Sequence, residues 1–403
     1  MRTICTIIGV SLFSCSIFSE VLGELILENR SFFKEGHLNK DKQHSSFTFS
    51  PEIYIEDNET IFHFKSKFRK DSQDTNRNLI DIQELYFLSI GESREIKYGI
   101  SKEFWGVTET NHRVDIINQT DFTEALDGEE KLGQPMIKVS FEESWGNLDI
   151  YALLGFRERK FFGKEGRLTL PVMIDKDESV YESSAEDSRT DFAIRWSNYY
   201  DQLDIAISYF SGNSREPRII PIDEASSKMI PLYETIDQVG VELTYLIGSL
   251  ALKAEIISRS GQEERFSAST AGFEYTQVGI FESRIDLGWI LEMNHDDRLD
   301  SSPSVLGTRL SLNDAYDSQI LSGIVWNEKS GEIGFLLESS RRVGECCLIS
   351  LEGFYFDDTD IDNGQPKLFE AFKDDDFLKL ELSLIHISEP TRPLYISYAV
   401  FCL

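Results

Sequence analysis

Between Trp105 and Gln134 the chain gathers Glu109, Asp115, Asp121, Glu124, Asp127, Glu129 and Glu130 against only Arg113 and Lys131. Carboxylates grouped around a narrow passage attract cations and repel anions. Arg195, Lys253, Arg259 and Arg309 are basic candidates to face them and set up a transverse field. A second group, Arg157, Arg159, Lys160, Lys164 and Arg167, stands out in an acidic chain. Its chemistry is that of charge-assisted hydrogen bonds to phosphates or anionic sugars, or of internal pairing with Glu158 and Glu165.

Signatures of bond-making chemistry are missing. The sequence holds no G-x-S-x-G elbow, H-E-x-x-H helix, phosphate-binding loop or dinucleotide fingerprint, so the expectation is that it is not an enzyme. His37, His44, His63, His112 and His295 are too scattered for a local metal-ligand pair, and the run Asp357, Asp358, Asp360 and Asp362 lacks the glycine and closing glutamate of a calcium loop. Cys346 and Cys347 are neighbours, which on a strand point to opposite faces and do not readily bridge. Neither a metal nor a cofactor is expected. With 70 acidic against 40 basic residues the formal charge is −30, which repels nucleic acid.

The elements that position these charges read as strands. Phe192, Ile194 and Trp196 alternate with Asp191, Ala193, Arg195 and Ser197; Leu203, Ile205, Ile207 and Tyr209 alternate with Asp204, Ala206 and Ser208. Leu252, Ala254 and Ile256 oppose Lys253 and Glu255, and Ile285 to Met293 and Leu306 to Leu312 repeat the pattern. One apolar and one polar face over many long strands is the pattern of a barrel with lipid outside and water inside. Short links, such as 91–93, 143–147 and 247–249, alternate with longer ones, such as 105–134, 155–189, 211–235, 258–265 and 357–375. The count predicts an all-β fold: a single antiparallel transmembrane β-barrel of about 18 strands, or about 16 if one weak pair is not real.

Residues 1–23 open with Arg2, run through an apolar stretch and end at Val21-Leu22-Gly23, the pattern of a cleaved signal peptide. The barrel is then expected over 24–381. Residues 382–403 contain LSLIHISEPTR and ISYAVFCL, which resemble in-frame translations of a transposase-type sequencing adapter, and are expected to be an artefact.

Several segments follow one another in order: WGVTETNHRVDIINQTDF from Trp105, DGEEKLGQP at Asp127, GFRERKFFGKEGRL at Gly155, DFAIRWS at Asp191, SREP at Ser214, GFEYT at Gly272 and DDFLKLEL near the end. Together they resemble an uncharacterised family of proteobacterial outer-membrane proteins, distantly similar to alginate-export and general porin barrels. The resemblance implies an outer-membrane barrel exported through the Sec route of a Gram-negative envelope and inserted by the barrel-assembly machinery. The strand count makes 105–134 the third long loop, and the resemblance implies that it folds inward and narrows the pore, as that loop does in porins. Glu109, Asp115, Asp121, Glu124 and Asp127, with Arg195, Lys253 and Arg309 opposite, are the candidate constriction. Arg157, Arg159 and Arg167 are candidate contacts to a ligand or to lipopolysaccharide. The expected role is passive or selective passage of small hydrophilic solutes, as monomer or homotrimer; the competing expectation is a non-conducting barrel that serves structure or recruits partners.

Overall fold

A segment that alternates apolar and polar residues separates the two sets cleanly only as an extended strand. Along Leu250–Gly261, Leu252 and Ile256 stand exposed on one side, while Glu255, Ile257 and Arg259 are buried on the other. The computed structural model describes residues 18–36, 40–124, 128–169, 172–222, 228–357 and 369–386.

The first seven strands are β1 (Phe18–Phe32), β2 (Gln43–Asp57), β3 (Thr60–Asp71), β4 (Leu79–Ile90), β5 (Arg94–Ser101), β6 (Gln134–Glu143) and β7 (Gly146–Leu154). After the short β8 (Met173–Ile174) and β9 (Val180–Tyr181) come β10 (Thr190–Tyr200) and β11 (Leu203–Asn213). The short β12 (Arg218–Pro221) and β13 (Lys228–Tyr233) lead to β14 (Thr235–Ile247), β15 (Leu250–Gly261), β16 (Glu263–Gln277) and β17 (Asp286–Asp296). The last are β18 (Ser304–Ser311), β19 (Gln319–Trp326), β20 (Ile333–Val343), β21 (Cys347–Phe356) and β22 (Phe377–His386).

Eighteen of these form one antiparallel sheet, and β1 pairs with both β2 and β22, which closes it into a barrel and removes its edges. The closing register runs from Gly23 opposite His386 to Phe32 opposite Phe377. Phe18–Gly23 of the expected signal segment therefore continues β1, and Leu382–His386 of the expected adapter segment lies on β22. Residues 1–17 and 387–403 lie outside the described residues, as do His37, Asp127, Asp358, Asp360 and Asp362. Among the described residues no helix is long and apolar enough to cross a membrane, which says nothing of strands.

Short turns gather at one end of the barrel and most long links at the other, as alternation of hairpins requires. The connection between β15 and β16 corrects the reading of 258–265 as a long loop: both strands continue until only Gln262 separates them. Gly261 makes that reversal at φ +103, where an added Cβ would meet the Thr235 carbonyl oxygen at 2.0 Å. At the long-loop end β8, β9, β12 and β13 build a separate small sheet, parallel where β13 meets β8 and β9.

Candidate functional site

The described residues of 102–133, between β5 and β6, fold into the lumen. An irregular segment placed there must find partners for its backbone donors, and the inner face of the wall supplies carboxylates. Glu255 of β15, fully buried, accepts from the amides of Val107 at 2.7 Å, Thr108 at 3.0 Å and Val114 at 3.2 Å, and from the Thr108 hydroxyl at 2.7 Å. Glu292 of β17 accepts from the amides of Glu109 at 2.7 Å and Thr110 at 2.9 Å and from the Thr110 hydroxyl at 2.6 Å. Apolar contact adds to this, since Trp105, Val114, Ile116 and Ile117 of the loop share a buried cluster with Tyr151, Phe210 and Ile257 of the wall.

Glu109 then enters a closed ring of four charges. Lys253 lies 2.7 Å from Glu109 and 3.1 Å from Glu274; Arg309 lies 2.8 Å from Glu109 and 3.0 Å from Glu274. Burial alone would raise the Glu109 carboxyl, but Lys253 and Arg309 outweigh it and hold the group below its ordinary value.

The loop's tip reaches the opposite wall. Glu124 pairs with Lys67 at 2.8 Å and with Arg69, both on β3, while Arg30 of β1 donates to the Glu124 carbonyl at 3.3 Å. Asp121 lies 3.8 Å from Arg69 and accepts from the Thr123 hydroxyl at 2.5 Å. Within the loop, the Asp115 side chain is fully buried 3.1 Å from Lys131, and burial pushes its carboxyl up. Asn118 bridges the limbs by donating to the carbonyls of Ser101 and Leu132.

Of the expected constriction residues, Glu109, Lys253 and Arg309 therefore meet in one place, and Asp115, Asp121 and Glu124 are tied elsewhere along the same loop. Arg195 is apart from them: it makes two bonds to Glu242, at 2.9 and 2.7 Å, beside a cavity of about 600 Å³ at the short-turn end. Val107, Asn147, Ser197 and Asp204 also line that cavity. The wall pairs across strands: Arg195 bonds Glu242 rather than Asp204, and Lys253 bonds Glu109 and Glu274 rather than Glu255.

The basic segment after β7 descends onto the long-loop side of this plug. Arg157 pairs with Asp81 at 2.7 Å and donates to the Gly133 carbonyl at 2.9 Å. Arg167, almost fully buried, pairs with Asp375 at 2.7 Å and donates to the carbonyls of Lys34, Asp41 and Asp374. Arg159 donates to the Gln119 carboxamide oxygen at 3.3 Å and lies 4.5 Å from the Phe122 ring centroid.

Glu255, Glu292, Lys67, Arg69 and Arg30 were not singled out from the sequence. The available signal was phase: each occupies an inward position of an alternating strand, where a buried charge requires a partner.

No protein-family model matches the chain, and no curated protein matches it. Solved structures resemble its fold. A BenF-like porin from Pseudomonas fluorescens Pf-5 superposes with a TM-score of 0.53 at 10% identity, over 92% of this chain and 98% of that one. Wzi of Escherichia coli, an outer-membrane protein described as a carbohydrate-binding β-barrel involved in group 1 capsule assembly, superposes with a TM-score of 0.50 at 9% identity, over 90% of this chain and 84% of that one. At such identities the likeness is one of fold, and the fold is a closed, porin-like antiparallel β-barrel of 18 strands.

Proposed function

We propose that this chain is a passive outer-membrane channel for small hydrophilic solutes, with residues 102–133 as its constriction. In this reading the short turns face the periplasm, lipid covers the apolar outer belt, and lipopolysaccharide surrounds the long-loop end. The observation that carries it is the loop's course through a charged lumen: Glu255 and Glu292 hold one limb, Lys67 and Arg69 hold the tip, and a cavity remains on the short-turn side. A wall rich in ion pairs suits water-filled space, because charged side chains keep hydration that an apolar filling would strip.

The test is single-channel recording of the full chain in a planar bilayer. Stepwise currents that enlarge when the loop's anchors are removed support the channel. Protein that inserts into the bilayer and stays silent, with or without its anchors, replaces this reading with a non-conducting barrel.

A further inference from the structure

The cavity of about 600 Å³ at the short-turn end exists because the wall there carries small residues. Ser197 of β10 and Ala206 of β11 are cross-strand partners, and both line it. Ser197 also stands opposite Asn147 of β7, and Asn147 opposite Glu142 of β6, so one row of the wall brings Glu142, Asn147, Ser197 and Ala206 side by side. Two positions nearer the turn, Tyr199 and Asp204 face each other across β10 and β11 and line the same space. Val107 of the inward loop bounds it from the other side.

The charges around this cavity do not balance. Arg195 is the one cation in its lining, and Glu242 takes it by two bonds. Glu142, Glu143 and Asp204 are exposed, and among the described residues none of the three has an ion pair or a side-chain hydrogen bond. The loop differs: Glu109, Asp115, Asp121, Glu124 and Glu130 each have a lysine or arginine within 4 Å. The unanswered carboxylates thus stand in the cavity, beside a loop whose own acids are paired.

Unpaired carboxylates attract cations and repel anions, and accept strong charge-assisted bonds from an ammonium group. Tyr199, 77% exposed, leaves its ring uncovered beside Asp204, and an aromatic face draws an organic cation further. The volume lies within the roughly 300–1,000 Å³ of small-molecule sites, more than a bare ion needs, and Asn147 and Ser197 offer neutral polar groups to the rest of a solute. We infer that this cavity binds small protonated amines on the short-turn side of the constriction. Its consequence for passage rests on the channel reading, since only a conducting barrel moves solutes through it.

The experiment uses 1,4-diaminobutane as probe and 1,4-butanediol as its uncharged counterpart, both on the full chain. In a planar bilayer the diamine should reduce the potassium current and the diol should not, with the blocking concentration rising about tenfold in Asp204→Asn. Asp204 is exposed and unpaired, so that substitution breaks no bond of the fold. Titration calorimetry of the detergent-folded barrel reads binding without conduction: saturable heat with the diamine, weakened in Asp204→Asn, supports the site. Currents unaffected by the diamine, together with no heat, overturn the inference and leave the channel standing. Silent protein that still gives heat dependent on Asp204 keeps the site and overturns the channel. Equal effects of diamine and diol overturn the assignment to amines.

Discussion

The carboxylate of Glu255 holds Thr108 twice, by the amide at 3.0 Å and by the hydroxyl at 2.7 Å. The same side chain also takes the amides of Val107 and Val114, so one wall residue fixes both sides of a loop turn. Glu255→Ala leaves those donors buried without an acceptor, at about 1–3 kcal/mol each before the loop relaxes. Relaxation is the expected outcome, with trypsin cutting after Arg113 or Lys131 in the folded barrel accelerating by about tenfold or more. An unchanged cutting rate would show that the apolar cluster alone holds the loop.

Gly106 has a related role. Its φ is +144, and a Cβ there would lie 2.8 Å from His112 Nδ1 and 2.9 Å from Glu255 Oε1. Gly106→Ala is expected to cost about 1–3 kcal/mol through backbone strain and to disturb the Glu255 anchor at the same time. Thermal unfolding followed in detergent checks this, with Gly248→Ala as comparison: Gly248 also has positive φ, but nothing within 4 Å would meet its Cβ. Equal losses in the two variants would remove the crowding argument.

Acid should loosen the loop only at low pH. Burial by itself raises the carboxyls of Glu103 and Glu109, yet Lys97 and Lys138 beside the first, and Lys253 and Arg309 beside the second, hold both below the ordinary value of 4.5. A carboxyl whose folded value is depressed contributes stability that is fully present above 4.5 and is lost as pH falls through the folded value. Protection of the loop against an acid-tolerant protease should therefore stay flat from about pH 8 to 5 and fall below that range. A transition at higher pH would point instead to Asp115, whose carboxyl burial pushes up, or to a histidine.

Much of the barrel was legible because its physics is local. Alternation around Arg195, Lys253, Trp289 and Arg309 assigns inner and outer faces from neighbouring residues alone, whereas length does not single out the inward loop, since 155–189 is longer than 105–134, and only its place as third long loop, by likeness to porins, did so. What stayed hidden depends on pairing across the lumen. Glu255 and Glu292 look like any inward polar residue until a loop more than a hundred positions away is laid against them. The hairpin at Gln262 was hidden because Ser258, Arg259 and Arg265 read as loop residues, although Arg259 is buried against Glu216 and Gln238. The small sheet of β8, β9, β12 and β13 joins strands too short to show a period.

The outer face makes its own prediction. Ile256 sits mid-strand on β15, exposed between Val241 and Ser269 of its neighbours. Ile256→Arg should destabilise the folded barrel by about 2–4 kcal/mol in lipid, the cost of an arginine near the bilayer midplane, while Ile256→Leu should cost little. Urea unfolding in vesicles separates the two, and equal stability would place this face away from lipid.

The ring of Glu109, Lys253, Glu274 and Arg309 alternates sign around its circuit, and both cations touch both carboxylates. Glu109→Gln removes one carboxylate and leaves two cations sharing Glu274; Arg309→Gln leaves two carboxylates sharing Lys253. Either single change unbalances the ring, whereas the double change leaves one matched pair, Lys253 with Glu274 at 3.1 Å. A double-mutant cycle on unfolding free energy should thus return a coupling of about 0.5–3 kcal/mol, the double variant being more stable than the singles predict when added. Strict additivity would mean that Glu109 is held by the bonds between its own backbone amide and Glu292, and that the ring contributes charge without position.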